Sequence, residues 1–374
     1  MRIGFVISSL QRGGAERVAT LLANAWAVQG HAVSLVTFEV AGTQPAYHLN
    51  ESVDLRSLGI AAASGSILGG IANNLERIWS LRQCLQYFDP DVVVSFLTET
   101  NVLAITAGLG AKWPTIVSER IHPAHHPVSR SWGLLRKISY PKAAAVVVQG
   151  ADIARWIHSQ TGTYAVTVPN PIDVSEFFPR VSPITTSGRR KQLLAVGRLS
   201  HQKGYDILIR GFSAAAPSIP DWDLSIFGEG PHEPVLRAMI DDLQLGSRIS
   251  INKSVPNIAD IYRAADAFVH PARYEGYPNV IVEALASGLP VIASNSQDVV
   301  RELLENGQRG ILYEAESPES LAQALIETLR DQARCESLAK AAPDAVRAND
   351  VTAISARWIL LFQEAIQRRA ASPN

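Results

Sequence analysis

Two glutamates eight positions apart, Glu275 and Glu283, stand in the run Pro271-Ala272-Arg273-Tyr274-Glu275-Gly276-Tyr277-Pro278-Asn279-Val280-Ile281-Val282-Glu283-Ala284. The apolar run Ala267–His270 before it reads as a buried strand, and the segment from Asn279 reads as a helix. Pro278 suits a helix's first turn, where its missing N–H costs nothing. The amides of Asn279 and Val280 are then expected to stay free and face an anion. Glu283 falls inside the helix, where its carboxylate can accept both hydroxyls of a ribose. Eight helical residues would span about 12 Å, but Glu275 lies in the loop beside Gly276, so both carboxylates can face one ligand. The plainer reading is an acid favoured by the helix dipole plus a surface glutamate. The glycine and proline that follow a buried strand favour the ligand.

A second cluster is Gly197-Arg198-Leu199, with His201-Gln202-Lys203-Gly204 close behind. It follows an apolar strand and precedes a helix. Arg198 can make paired contacts to a diphosphate, and Lys203 adds a point charge. A third is Gly13-Gly14-Ala15-Glu16 after the first strand. Its glycines let backbone amides approach a phosphate at a helix start, or simply make a tight turn. It is not the GxGxxG fingerprint of dinucleotide binding.

These clusters need strands to hold them, and the chain supplies two series. Ile3–Ser8, Ala32–Thr37, Asp91–Phe96, Thr115–Ser118, Ala144–Val148 and Ala165–Val168 are short runs of continuous apolar residues, with Ala15–Gln29 helical between the first two. Continuous rather than alternating strands mean that both sheet faces are covered, as in parallel α/β sheets. Pro169-Asn170-Pro171 and the Pro-, Ser- and Thr-rich stretch to Lys191 interrupt the series. It restarts with Leu193–Val196, helix Tyr205–Ala215, Asp223–Phe227, Ala267–His270, helix Asn279–Ser287, Val291–Ala293 and helix Pro318–Arg330. The expected domains are 1–172 and 173–351, both Rossmann-like, with an amphipathic helix near 352–369 packing back on the first.

The chain has 374 residues, 47% of them hydrophobic and 18% charged, which fits two buried cores. A net charge of −1 argues against nucleic acid as partner. Cys84 and Cys335 have no disulfide-framework or metal-ligand spacing. No signal peptide or membrane-spanning run is found, so a cytoplasmic or peripheral protein is expected. Charge is uneven, however. From Lys112 to Arg155 there are seven basic residues and two acidic ones, an excess of five. Within it, Ser129–Lys142 reads as a basic amphipathic helix bearing Trp132 and Tyr140, suited to an anionic membrane. The alternative is a helix packed on the core. Helix Asn74–Gln86, with Arg77 and Arg82, is a candidate wall of an acceptor site.

The segment from Glu275 to Glu283 resembles the E-x7-E motif of retaining glycosyltransferases with the GT-B fold. EGYPNVIVEALASGLPVIAS is similar to the family called GT4 over nearly its whole length, and the resemblance extends to GGAE, VPNPID, VGRLSHQKG and FGEGP. It implies two Rossmann-like doubly wound parallel-sheet domains with a cleft between them, the donor held by the second. It implies that Arg198 and Lys203 bind the donor diphosphate, that Glu283 binds the ribose, and that Glu275, beside Gly276, faces the donor sugar. Amides at Asn279 and Val280 would meet the phosphates, with Gly13 and Gly14 across the cleft. The wording EGYPN is similar to members that build lipid-linked oligosaccharides or exopolysaccharides from UDP-sugars. The implied partners are a nucleotide sugar and a glycan or lipid-linked glycan, with neither cofactor nor metal. The sequence departs from the family where relatives carry a sugar-contacting histidine. Here Glu119 or Arg120 falls at that register, and His122 comes later. An epimerase of the same fold, an NAD-dependent oxidoreductase and a non-catalytic sugar-nucleotide binder are the other readings.

Overall fold

The computed structural model describes residues 1–60, 67–124, 128–177, 189–255 and 257–371. The chain forms two compact units, Met1–Pro171 together with Val351–Asn374, and Ile172–Asp350. Part of the Pro/Ser/Thr-rich crossing, 178–188, lies outside the described residues.

The first unit is built on a seven-stranded sheet. Its strands are β1 (Arg2–Val6), β2 (Ala32–Thr37), β3 (Asp54–Ser57), β4 (Val92–Phe96), β5 (Thr115–Ser118), β6 (Ala145–Val148) and β7 (Ala165–Thr167). They run in the order β3-β2-β1-β4-β5-β6-β7, and every pair is parallel. Helices α1 (Gly14–Val28), α2 (Ile67–Phe88), α3 (Thr98–Ala107), α4 (Arg130–Ser139) and α5 (Ala151–Thr161) cover it. Each residue of β4 and β5 is buried, as a sheet covered on both faces requires. The order reverses between β1 and β4. In open α/β sheets the ligand crevice opens beyond the carboxyl ends of the strands at such a reversal.

The second unit repeats the plan with β8 (Lys191–Val196), β9 (Trp222–Phe227), β10 (Ile249–Asn252), β11 (Ala267–His270), β12 (Val291–Ser294) and β13 (Ile311–Tyr313). The order β10-β9-β8-β11-β12-β13, all parallel, reverses between β8 and β11. Its helices are α6 (Tyr205–Ala215), α7 (Glu233–Asp242), α8 (Ile258–Ala264), α9 (Asn279–Ala286), α10 (Asp298–Leu303), α11 (Pro318–Leu329) and α12 (Gln332–Ala345). One core lies around Leu193, Leu208, Phe212, Leu321 and Leu325, and another around Leu194, Tyr262, Phe268, Ile281 and Leu285.

The chain then returns to the first unit as α13 (Val351–Ala371). Ile354, Trp358 and Phe362 are wholly buried there. The Trp26 ring lies 5.1 Å from Phe362 and 6.3 Å from Trp358, edge to face. Aromatic pairs in this arrangement add about 0.5–1.5 kcal/mol beyond the area they bury. Strands β3, β10 and β13 are absent from the sequence reading. All three are sheet edges of three or four residues, and β3 (Asp-Leu-Arg-Ser) is exposed or half-buried throughout, so its pattern is too polar and short to stand out.

Candidate active site

The reversal in the second unit brings two loops together. One leaves β8 at Gly197 and the other leaves β11 at Pro271, and several bonds stitch them. The Arg273 N–H donates to the Gln202 carbonyl at 2.9 Å, and Gln202 Nε2 donates to the Tyr274 carbonyl at 3.0 Å. The Arg273 guanidinium forks onto both oxygens of Asp206, at 2.9 and 2.8 Å, and reaches the His201 carbonyl at 2.7 Å. Burial raises the Asp206 carboxyl, but the hydrogen bonds and charge of Arg273 outweigh it and hold the group below its ordinary value. Gly204 sits where the loops touch. It is left-handed (φ 65°), and a Cβ there would stand 2.1 Å from the Pro271 carbonyl oxygen. The sequence reading missed the Arg273–Asp206 fork, because its partners lie 67 residues apart and no local motif marks them.

Within this stitched pair of loops, Lys203 Nζ is bonded to Glu275 Oε1. The Glu275 side chain is 8% exposed and that of Lys203 17%, so the pair is largely shielded from water. His270, the last residue of β11, places Nε2 3.5 Å from the same Glu275 oxygen, and this nitrogen makes no hydrogen bond among the described residues. Burial, with the Lys203 charge added to it, pushes the His270 imidazole well below its usual range, so it is neutral at pH 7. The Tyr205 phenol is also buried, and burial together with the Glu275 charge raises it far above its ordinary value. The Glu275 backbone N–H donates to the side-chain oxygen of Gln297, a buried residue that precedes α10. Arg198 differs from its neighbours. It is exposed, and its side chain has no hydrogen bond or ion pair among the described residues.

Helix α9 carries Glu283 into the interior, where its carboxylate accepts from the Tyr262 hydroxyl at 2.8 Å. Two details of the helix start differ from expectation. Pro278 precedes the helix rather than lying in its first turn. Its φ of −83° and ψ of 75° make an inverse γ-turn, so the Asn279 N–H donates to the Tyr277 carbonyl at 3.0 Å and is not free. The Val280 N–H has no such partner among the described residues. Gly276 is buried beside Glu275.

In the first unit, Gly13 precedes α1 in extended conformation. A Cβ on Gly13 would stand 2.1 Å from Glu16 Oε2, so the Glu16 carboxylate lies against the turn where a ligand anion was expected. Gly14, the first residue of α1, is exposed. Glu119 is buried in a network. It accepts from Thr98 Oγ1 at 2.8 Å and from the Tyr140 hydroxyl, and it lies 3.7 Å from Arg136. The Arg120 guanidinium stacks 4.3 Å over Phe96 and donates to Ser118 and Asn170. His122 is buried, its Nδ1 accepting the Ala124 N–H at 3.2 Å. Arg77 and Arg82 are drawn to carbonyls of their own unit: Arg77 donates to Ile60 at 3.0 Å and Arg82 to Leu109 at 2.7 Å.

The apolar face of α4 differs from expectation. Tyr140 is wholly buried, Trp132 packs on the core, and Arg136 is buried with its guanidinium 4.5 Å over the Trp156 ring. Leu134, Leu135 and Ile138 are instead exposed, at 59%, 44% and 54%, beside exposed Arg130, Lys137 and Lys142. No described helix is long and apolar enough to cross a membrane. Among the described residues no cluster of three or more His, Cys, Asp or Glu could hold a metal ion.

Each unit is a parallel α/β sheet that reverses its strand order, and in the second a cationic and acidic cluster stands at the reversal, where doubly wound sheets bind ligands. Residues 13–171 match the family described as Glycosyl transferase 4-like domain, and residues 181–345 match Glycosyl transferases group 1. The chain is a glycosyltransferase of the GT4 type with the GT-B fold. It is 26% identical, over 97% of its length and 99% of the relative's, to GalNAc-alpha-(1->4)-GalNAc-alpha-(1->3)-diNAcBac-PP-undecaprenol alpha-1,4-N-acetyl-D-galactosaminyltransferase of Campylobacter jejuni subsp. jejuni serotype O:2. It is 31% identical to the phosphatidyl-myo-inositol mannosyltransferase of Mycolicibacterium smegmatis over 57% of this chain and 55% of that one. The fold is shared with sucrose-phosphate synthase of Thermosynechococcus elongatus (TM-score 0.80, 18% identity, all of both chains covered). It is shared also with Anabaena HepE in complex with UDP and glucose (TM-score 0.77, 18% identity, 97% of this chain and 100% of that one).

Proposed function

We propose that this glycosyltransferase moves a hexose or N-acetylhexosamine from a UDP-sugar to a hydroxyl of a growing lipid-linked glycan, with retention at the anomeric carbon. The observation that carries the reading is the shielded Lys203–Glu275 pair at the strand reversal, with Arg198, exposed and without a side-chain partner among the described residues, on the loop that carries Lys203. Arg198 and Lys203 supply counter-charge for a diphosphate, and Glu283 holds the nucleoside. Glu275 places negative charge beside the sugar, where positive charge grows as the bond from the anomeric carbon to the phosphate oxygen breaks. The departing phosphate oxygen takes the proton of the attacking hydroxyl, so the cycle balances without a separate base, and no metal is needed. The second unit carries the donor and the first the acceptor. The names of the relatives support the choice of acceptor, since one is undecaprenol-linked and one a phosphatidylinositol. A lipid-linked acceptor sets the work at a membrane surface, the cytoplasmic one in this reading. The exposed Leu134, Leu135 and Ile138 amid cations suit that place.

Thermal-shift titration tests the donor, because a ligand bound only by the folded state stabilises it by about 2.7 kcal/mol at a hundred times its Kd. UDP and one or more UDP-sugars raise Tm while NAD and NADP do not. Transfer from that UDP-sugar to a polyprenyl-diphosphate glycan, with the product anomer read by NMR, tests the rest. Stabilisation by NAD alone, or epimer formation with no acceptor, overturns the reading.

A further inference from the structure

Gln297 is 6% exposed, and its two polar atoms have opposite fates. The side-chain oxygen accepts the Glu275 backbone N–H. The side-chain nitrogen is buried and has no hydrogen-bond partner among the described residues. The assignment of the two atoms follows from the bond, since only the oxygen can accept from a backbone N–H. The amide is therefore held in one orientation, and its NH2 group is a fixed, buried donor beside Glu275. A buried donor with no acceptor is costly and is uncommon in folded proteins. Such a group is well suited to a ligand that supplies the missing oxygen. A site built around a buried donor rejects analogues lacking the matching acceptor much more strongly than an apolar pocket rejects an extra methylene.

We propose that Gln297 reads the donor sugar, its side-chain NH2 donating to a hydroxyl or acetamido oxygen on the sugar ring while its side-chain oxygen fixes the Glu275 loop. The assignment rests on the preceding reading, in which Glu275 faces the sugar of a bound nucleotide sugar. In this proposal the Gln297 side chain bonds the sugar and the Glu275 loop, and not the diphosphate. It therefore contributes to the extra affinity of a nucleotide sugar over its bare nucleoside diphosphate, and not to the affinity for the diphosphate itself.

The test is calorimetric titration of wild type, Gln297→Glu and Gln297→Met with UDP, UDP-glucose, UDP-galactose, UDP-N-acetylglucosamine and UDP-N-acetylgalactosamine. The GDP/GDP-mannose and ADP/ADP-glucose pairs are run alongside. Gln297→Glu keeps the acceptor for the Glu275 N–H and loses the donor, whereas Gln297→Met keeps the length and loses both. In both variants the nucleoside diphosphate binds within about threefold of wild type, and the preferred nucleotide sugar binds at least about tenfold more weakly. Gln297→Met guards against a charge effect of the new glutamate. Unchanged affinity for both ligands overturns the assignment. So does an equal loss for diphosphate and nucleotide sugar, which would make Gln297 a loop anchor and nothing more. A wild type that prefers GDP or ADP overturns the uridine part of the preceding reading, and the comparison is then made on the pair it prefers. A wild type that binds no nucleotide sugar overturns both.

Discussion

Lys203 Nζ and Glu275 Oε1 are bonded across 72 residues of chain, inside a pair of loops that Gln202, Asp206 and Arg273 hold together. Lys203 thus has two roles, of which Arg198 shares only the second. It neutralises a buried carboxylate in the free protein, and in the proposed complex it also meets the diphosphate.

Both Lys203→Ala and Arg198→Ala are expected to weaken UDP binding about 10- to 100-fold, the loss of one charge-assisted contact of about 1.5–3 kcal/mol. Only Lys203→Ala also destabilises the free protein, by about 2 kcal/mol, because it leaves Glu275 buried without its cation. Calorimetry and denaturant unfolding check the two parts separately. Equal unfolding midpoints for the two variants would contradict the buried-pair argument.

Glu275 and Glu283 are expected to fail differently. Glu275→Gln binds donor within a few fold of wild type and transfers sugar about a hundredfold more slowly, a barrier increase of about 2.7 kcal/mol. Glu283→Gln, changed at a carboxylate that Tyr262 already holds at 2.8 Å, loses donor affinity more than turnover. The measurements are donor Kd and single-turnover rate. Full turnover by Glu275→Gln removes the loop glutamate from catalysis.

His270 gives a pH dependence whose sign is fixed by its burial. Glu275 and Lys203 are the charged groups recorded beside it among the described residues, and burial keeps it unprotonated in the folded protein. The unfolded chain protonates this imidazole near pH 6.5, so below that pH the unfolded state binds more protons. The stability contribution is whole above about pH 6.5 and is lost as the pH falls toward the depressed folded value. His270→Asn flattens the fall of Tm between about pH 7 and 5. An unchanged slope would show that another group carries it.

Helix α4 is expected to bind anionic vesicles through its exposed residues. Replacing Leu134, Leu135 and Ile138 together with Ser lowers co-sedimentation with phosphatidylglycerol vesicles at low salt, and Lys137→Glu lowers it further. High salt weakens the wild type by screening. Because the three leucine and isoleucine side chains are exposed, the triple variant keeps its Tm within about 2 °C. No binding by the wild type at low salt removes the membrane role.

The doubly wound sheets were legible because runs such as Val92–Phe96 and Val291–Ser294 are apolar but for one serine each and buried at every position, as a fully covered parallel strand demands. Three of the four edge strands were not, since polar-containing runs such as Asp54–Ser57 and Ile249–Asn252 need only half a pattern. At the site, the motif residues announced themselves by charge and glycine next to such strands. Their supports did not. Gln297, Asp206 and His270 belong to no local pattern, and only the strand order brings them to Glu275 and Arg273. Side-chain direction was the other illegible part. Trp132 and Tyr140 looked like surface anchors in the sequence but are drawn inward, Tyr140 by a buried carboxylate and amide, Glu119 and Asn101.

The packing of Trp358 and Phe362 against Trp26 bears on the order in which this protein can be made. The first unit needs Val351–Ala371 to close its core, yet the ribosome delivers that helix only after the whole of Ile172–Asp350. The second unit is an uninterrupted stretch and can complete itself during synthesis. The first waits, with the indole of Trp26 uncovered, for residues more than three hundred positions downstream. Its final step is therefore a long-range docking event of high contact order, and its folding intermediates expose an aromatic surface for as long as translation of the intervening unit lasts.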